Sequence, residues 1–290
     1  MSAPPIAEKL ERATTALIAR SIRAYVNPHT MFDWPSQPPQ GALAMSEALL
    51  PLAGHPLFAT LRDEQRWRLA LLEAVNFFSL NIAGERELMI GLAQRLYSRR
   101  PASVSRYLQS FLHEENAHTV VFARFCLDYG GVIYPDRQMR FPRQFRRGEE
   151  EFLFFARVLV FEEIAHVYNR RVAADDAVWP IARDIHRYHA EDESRHIAFG
   201  RLVVAEMWER LSSEWSEAER REIGGYVERY IDTVLGTYVN PAVLTSLGFV
   251  AEAPTVRAEI LASSHWTALA AESSRVVRAW LRRIGVFDAG

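Results

Sequence analysis

Two imidazoles and a carboxylate on one helical stripe constrain this chain more than any other feature. The stretch 185–200, Ile-His-Arg-Tyr-His-Ala-Glu-Asp-Glu-Ser-Arg-His-Ile-Ala-Phe-Gly, places His189, Glu193 and His196 at i, i+4 and i+7. On an α-helix those offsets share one face over two turns. Aimed at a core, such a stripe needs hydrogen bonds or a metal ion to offset the loss of water. Aimed at solvent, the spacing carries no information. The reading therefore turns on whether other segments bring inward-facing ligands to the same place.

Three other segments do. A first long helix is expected over about 62–98, with Thr60 as N-cap and Arg99-Arg100-Pro101 as the stop. Its apolar stripe runs through Leu71, Val75, Phe78, Ile82, Met89, Leu92 and Leu96. Glu85 falls within that stripe, and Glu87 and Glu73 fall off it. A second helix, about 103–129, runs from Ser103 as N-cap to Gly130-Gly131 and sets Glu115 and His118 among Leu108, Phe111, Phe122 and Phe125. Residues 131–148, with Pro135, Pro142 and several arginines, are long enough for a crossover. In a third helix, about 149–174, Phe155, Val158, Leu159, Ala165 and Val172 mark the inner face. Glu162 lies on that face and Glu163 points about 100° away. The fourth, about 179–211, opens with Trp179-Pro180 and carries the stripe. A helix over 6–25 (Leu10, Ala13, Leu17, Ile22) and a Pro- and Gly-rich loop over 27–44 come first. Helices over 217–239, 242–248, 254–264 and 267–284 come last, broken by Asn240-Pro241 and Ala253-Pro254. No segment alternates like a strand.

Glu-x-x-His occurs at Glu115/His118, Glu193/His196 and Glu163/His166. One such motif is usually a solvated helix face. Two on separate helices, joined by on-stripe glutamates from two more, form the pattern of dimetal carboxylate bundles. The expected fold is all-α: a ferritin-like four-helix bundle core with additional N- and C-terminal helices. The candidate ligands are Glu85, Glu115, His118, Glu162, His189, Glu193 and His196. Glu87 or Glu73 is the alternative to Glu85, and Glu163 the alternative to Glu162. Four buried glutamates without cations would repel and take up protons, whereas two divalent ions balance them. A mixed oxygen and imidazole set suits iron or manganese. His166 reads as a core histidine or one behind the ligands, and His186 as a surface residue. Asp192 and Glu114 either accept the outer N–H of a ligating histidine or sit on a solvated face. Phe78, Ile82, Phe155, Leu159 and Leu202 are candidate pocket walls, with core packing as the alternative.

Composition bounds the rest. With 290 residues and 49% hydrophobic content, the chain reads as a single domain. Its core is about 62–211, with an N-terminal helix and loop over 1–61 and a C-terminal helical extension over 212–290. A net charge of −2 gives no argument for nucleic acid or a charged membrane surface. The run Phe152–Phe161 contains Arg157 and is too short to span a bilayer. Cys126 is the sole cysteine, which excludes an intrachain disulfide and fits a reducing, cytoplasmic setting. The N-terminal residues lack the apolar stretch of a secretory signal.

Over about 68–205 the sequence resembles the non-haem di-iron N-oxygenases of the aminobenzoate N-oxygenase type, which include the arylamine oxygenase of chloramphenicol biosynthesis. The most specific element is the third histidine, His189, four residues before Glu193-Ser194-Arg195-His196. Glu115 and His118 match the second-helix motif, Glu162 the third-helix glutamate and Glu85 the first. The resemblance implies an enzyme of natural-product biosynthesis whose two iron ions activate O2. The product is a hydroxylamine made from an amine, and in some members a nitroso or nitro compound. Manganese or a mixed Mn/Fe pair is the variant. It implies that His189 ligates one iron and adds donor strength, and that the chain is a homodimer. With no flavin or iron–sulfur motif in the sequence, electrons are expected from an external donor. A C–H hydroxylase or desaturase would share the ligands except His189. An iron-storage protein would need neither His189 nor the last 80 or so residues. A radical-generating subunit would need a tyrosine close to the metals, such as Tyr188 or Tyr168. A helical interaction protein would leave four buried glutamates unexplained.

Overall fold

The computed structural model describes residues 6–98, 102–136 and 144–287. The expected stop at Arg99-Arg100-Pro101, Pro142 of the crossover and the first five residues lie outside them. The described residues form α1 (Ile6–Ala24), α2 (Pro56–Thr60), α3 (Asp63–Ala93), α4 (Ala102–Phe125), α5 (Glu149–Ala173) and α6 (Pro180–Leu211). These are followed by α7 (Glu217–Tyr238), α8 (Pro241–Ser246), α9 (Ala253–Ala262) and α10 (Ser264–Arg283). Extended pairing among them is limited to one bridge, Leu43 with Val178. No helix of the described residues is long and apolar enough to cross a membrane.

α3 and α4 form one helical hairpin and α5 and α6 another, and the two hairpins pack into a four-helix core. α1 crosses α4 and α6, α7 lies on α5 and α3, and α10 runs along α5. The helix ends differ from expectation where local hydrogen bonds intervene. Thr60 closes the short α2, its hydroxyl donating to Leu57 O at 2.8 Å, so it does not cap α3. Instead the Gln65 side chain accepts from the Arg62 N–H at 3.1 Å. α3 ends at Ala93 and runs on through turns (Arg95 N to Leu92 O at 2.9 Å) to Tyr97, which has a positive φ of 51° and donates its N–H to Ser105 Oγ at 2.9 Å. Ser103 lies inside α4, and its buried hydroxyl lacks a partner, so it is not an N-cap. α4 runs on into a π-turn, Cys126–Gly130, that Gly131 ends at φ 71°.

α1 buries Leu10, Thr14, Leu17 and Ser21, a row at i, i+4, i+7 and i+11. Ile22, one residue off that row, is 69% exposed, contrary to expectation. The loop 27–44 wraps the body: Tyr129 Oη donates to Pro35 O at 2.7 Å and Trp179 N to Leu43 O at 2.7 Å.

One contact sets how near α3 and α5 come. A Cβ at Gly84 would lie 2.6 Å from Phe161 Cζ, and one at Gly91 would lie 2.0 Å from Phe154 Cε2. Two rings of α5, seven residues apart, thus sit on two glycines of α3 with the same spacing. Only glycine leaves room for so close an approach. Glu85 and Glu162, the next residue along each helix, are buried beside it.

Candidate metal centre

α3 supplies Glu85, α4 supplies Glu115 and His118, α5 supplies Glu162, and α6 supplies His189, Glu193 and His196. None of the seven is more than 2% exposed. Their ligand atoms fall into three overlapping groups, each within 4.8 Å: Glu85, His118 and His189; Glu115, His118 and Glu193; Glu115, Glu162 and His196. His118 Nδ1 is 3.7 Å from Glu85 Oε1 and 3.7 Å from Glu115 Oε2. His189 Nε2 is 3.6 Å from Glu85 Oε1.

The donor set fits cations better than protons. Both carboxylate oxygens of Glu85 and of Glu162, Glu115 Oε1, Glu193 Oε2, His118 Nδ1, His189 Nε2 and His196 Nδ1 are buried without a hydrogen-bond partner. His189 Nε2 and Glu193 Oε1 lie 2.8 Å apart, and His196 Nδ1 and Glu115 Oε1 2.9 Å apart, without hydrogen-bonding alignment. Buried polar atoms are normally satisfied, so this many orphans aimed at one place mark a site for something else. Carboxylate oxygen with imidazole nitrogen is the donor chemistry of a pair of metal ions.

The ring nitrogens facing away from that place are all held. His118 Nε2 lies 3.0 Å from Asp192 Oδ2 and His196 Nε2 2.7 Å from Glu114 Oε2. Arg195 joins the two carboxylates, with Nη2 donating to Glu114 Oε1 at 2.6 Å and also to Asp192. Asp192 and Glu114 are therefore buried behind His118 and His196 rather than on a solvated face. His189 has a different partner: its Nδ1 is 2.8 Å from the Asn169 side-chain nitrogen. Asn169 Oδ1 is in turn 2.7 Å from His186 Nδ1. His186 is not at the surface. It is fully buried, with the rings of Phe77 and Phe78 each 4.9 Å away.

The electrostatics of these side chains follow from burial and their neighbours. Burial, reinforced by Glu115, drives the Glu85 carboxyl well above its usual range; burial and then Glu193 do the same to Glu162. Burial acts to lower His118 and His196, yet both are raised well above the ordinary imidazole value. Tyr188 and Asp192 outweigh burial at His118, and Glu115 and Glu114 do so at His196. Burial leaves His189 lowered and, with His189 itself, pulls His186 well below the ordinary value. Glu193 is lowered against the effect of burial by His189.

The alternatives separate cleanly. The Glu87 side chain is 67% exposed beside Arg86. Glu73 is buried but belongs to none of the three groups, and burial pushes its carboxyl up to about 8. Glu163 pairs with Arg201, Nε donating at 2.6 Å. His166 is half-buried and outside the groups. Tyr188 meets His118 edge-on at 5.3 Å, whereas Tyr168 stacks on Phe77. Asn169 carries no sequence motif. Its position, two turns beyond Glu162 on the same face of α5, is the signal that could have found it.

A cleft of about 630 Å³ reaches Glu162. It opens among α3, α5 and α7 and is lined by Leu80, Gly84, Val158, Phe161, Tyr230 and Val234 among others. The expected walls are elsewhere. Phe78, Phe155 and Leu159 are fully buried, and Ile82 and Leu202 pack half-buried against the core. Those residues face helix neighbours, and the open side of α5 lies under α7, a helix without ligand spacing.

A helical bundle that turns four carboxylates and three imidazoles toward one buried point presents the donor set of a dimetal centre. The sequence profile of the p-aminobenzoate N-oxygenase AurF matches residues 7–285, and the chain belongs to that family of N-oxygenases. Among solved structures, a variant R2-like ligand-binding oxidase with an anaerobically reconstituted Mn/Fe cofactor shares the fold. Its TM-score is 0.54 at 17% identity over 94% of both chains. A second variant of an R2-like ligand-binding oxidase, also Mn/Fe-reconstituted, aligns at a TM-score of 0.45 and 18% identity, over 90% of this chain and 93% of that one. No curated protein sequence matches.

Proposed function

We propose that Glu85, Glu115, His118, Glu162, His189, Glu193 and His196 hold two iron ions, and that the enzyme uses O2 and an external electron donor to oxygenate the nitrogen of a small amine. The observation that carries this reading is the convergence of buried, partnerless ligand atoms from four helices. Two such ions supply the reductive activation of O2 that side chains alone lack. Oxygen and imidazole donors without thiolate suit iron.

The chain's own residues arrange the rest. Glu115 belongs to two of the three groups and has two oxygens to offer, which suits it to serve both ions, whereas His118 turns only the one lone pair of Nδ1 inward and would serve one. Asp192 and Glu114 take the Nε2–H of His118 and His196, which leaves each Nδ1 bare and turned inward. The amine reaches the ions past Glu162, the one ligand that lines the cleft. Apolar walls there keep water away from the reacting nitrogen. Two arginines line the same cleft, and Arg95 is taken up by Glu151 at 2.7 Å. Arg157 has no hydrogen bond or ion pair among the described residues and is five residues before Glu162 on α5. It is the cation suited to a substrate carboxylate.

Anaerobic loading with Fe(II), followed by mass measurement of the desalted chain, tests the metal reading. Close to two irons per chain are expected, with Glu115→Ala falling below one and losing turnover of amines. Well below one in the parent chain overturns the proposal. Arg157→Ala is expected to raise KM about tenfold or more for carboxylate-bearing amines and to leave neutral amines unchanged. Equal effects on both would remove Arg157 from substrate binding.

A further inference from the structure

Arg95 stands just past the end of α3, in the turn that follows Ala93. Its guanidinium is held from three sides. Nη1 donates to Gly91 O at 2.8 Å, one of the helix-end carbonyls that an α-helix cannot satisfy by itself. Nε donates to Glu151 at 2.7 Å. The group also lies over the Phe154 ring, 3.8 Å from its centre, and Phe154 is itself seated on Gly91. Ordering so long a side chain costs rotamer freedom, which these three contacts offset. Only 14% of it remains exposed.

Two clefts meet at that side chain. The cleft that reaches Glu162 and a second one of about 700 Å³ have Gln94, Arg95 and Glu150 in common. The second cleft has an apolar side made by Leu10, Met207 and Leu211. Its other arginines are paired, Arg210 with Glu206 at 3.0 Å and Arg147 with Glu214 at 4.0 Å, so its rim holds no spare positive charge. Along the first cleft α3 and α5 run antiparallel, with Gly84 against Phe161 and Gly91 against Phe154. Arg95 and Glu151 meet one step further on, at the end away from Glu162. From Glu162 to Glu151 is about 16 Å along α5 at the helical rise.

We propose that Arg95 is a specificity-determining residue: it walls the amine cleft off from the second cleft and so limits the length of the amine that the enzyme oxygenates. The inference rests on the amine reaching the centre past Glu162, as in the reading above. A molecule with its nitrogen beside Glu162 extends along α5 past Arg157 and meets the Arg95 and Phe154 side chains about 16 Å on. A compact amine ends before this wall. A long uncharged tail does not, and to pass it must displace the guanidinium from a carbonyl, a carboxylate and a ring together. The two arginines of the cleft thus differ in kind. Arg157 is free to meet a charge, whereas Arg95 is engaged and acts by the space it fills.

The test uses anilines carrying uncharged para ether tails of increasing length, with the iron-loaded chain and O2. In the parent, kcat/KM is expected to drop once the molecule exceeds about 16 Å. In Arg95→Ala the ratio of kcat/KM for long to short anilines is expected to rise roughly tenfold or more. Glu151→Gln keeps Arg95 but weakens one of its ties, and should move the ratio the same way by less. A purely structural role for Arg95 would lower kcat/KM for every aniline alike; an unmoved ratio overturns the proposal, and so does a parent that takes long and short anilines equally. Calorimetric binding of the same anilines to the full chain without O2 reads the wall separately from the chemistry. A length cutoff in binding that Arg95→Ala removes upholds the wall even where no amine is turned over, an outcome that overturns the reading of the reaction alone. Binding with no length cutoff in the parent overturns the wall.

Discussion

The two flanks of the candidate centre solve one problem with opposite chemistry. Behind His118 and His196 stand two carboxylates, Asp192 and Glu114, tied by the Arg195 guanidinium. Behind His189 stand a neutral amide and a neutral ring. A carboxylate acceptor raises the basicity of the imidazole that donates to it, and an amide does so less. Two histidines are thus fixed as strong donors. The third imidazole, His189, rests on uncharged groups instead. The difference teaches that the three buried imidazoles are not equivalent donors.

Arg195→Leu should break the charged flank most severely. It leaves Glu114 and Asp192 buried without their shared cation, at a cost of about 3 kcal/mol or more by urea unfolding of the metal-free chain. A loss under about 0.5 kcal/mol would mean the flank is open to water. Glu73 calibrates the comparison, as a buried carboxylate outside either flank. Its carboxyl is raised from 4.5 to about 8 by burial, so its contribution to stability is intact below 4.5 and is lost as pH rises through about 8. Glu73→Gln should match the parent near the acid end of that window and exceed it by about 3 kcal/mol at neutrality and about 5 kcal/mol once the pH passes about 8. Parallel pH profiles of the two chains would show that Glu73 ionises freely. Asp192→Asn sharpens the contrast with least disturbance, since it puts an amide behind His118 as well. Metal affinity should fall by about 10–100-fold in a competition titration, and an unchanged affinity would make the two flanks equivalent.

The four core helices and all seven converging residues were legible because burial repeats with the period of the helix. Glu85 was separable from Glu87 on that basis alone, and Glu162 from Glu163. What escaped depends on partners far along the chain. His186 reads as a surface residue until Asn169, 17 residues away on another helix, is seen to hold it. The outer face of α1 was misjudged because Ile22 is more apolar than Thr14 and Ser21, and position on the row outweighed side-chain type. The cleft walls were out of reach because α7, which carries no ligand, forms one side of the opening.

The rings of Phe154 and Phe161, seated on Gly91 and Gly84, have a consequence for descent. Gly84 precedes Glu85 and Phe161 precedes Glu162, so residues that shape the cleft are sequence neighbours of candidate ligands without being among them. Exchanging either ring for a smaller group, with both glycines kept, enlarges the space offered to a substrate. The adjoining carboxylates remain pointed inward. A lineage can therefore change which molecule it accepts by mutations at two positions while the oxidising apparatus passes on unaltered.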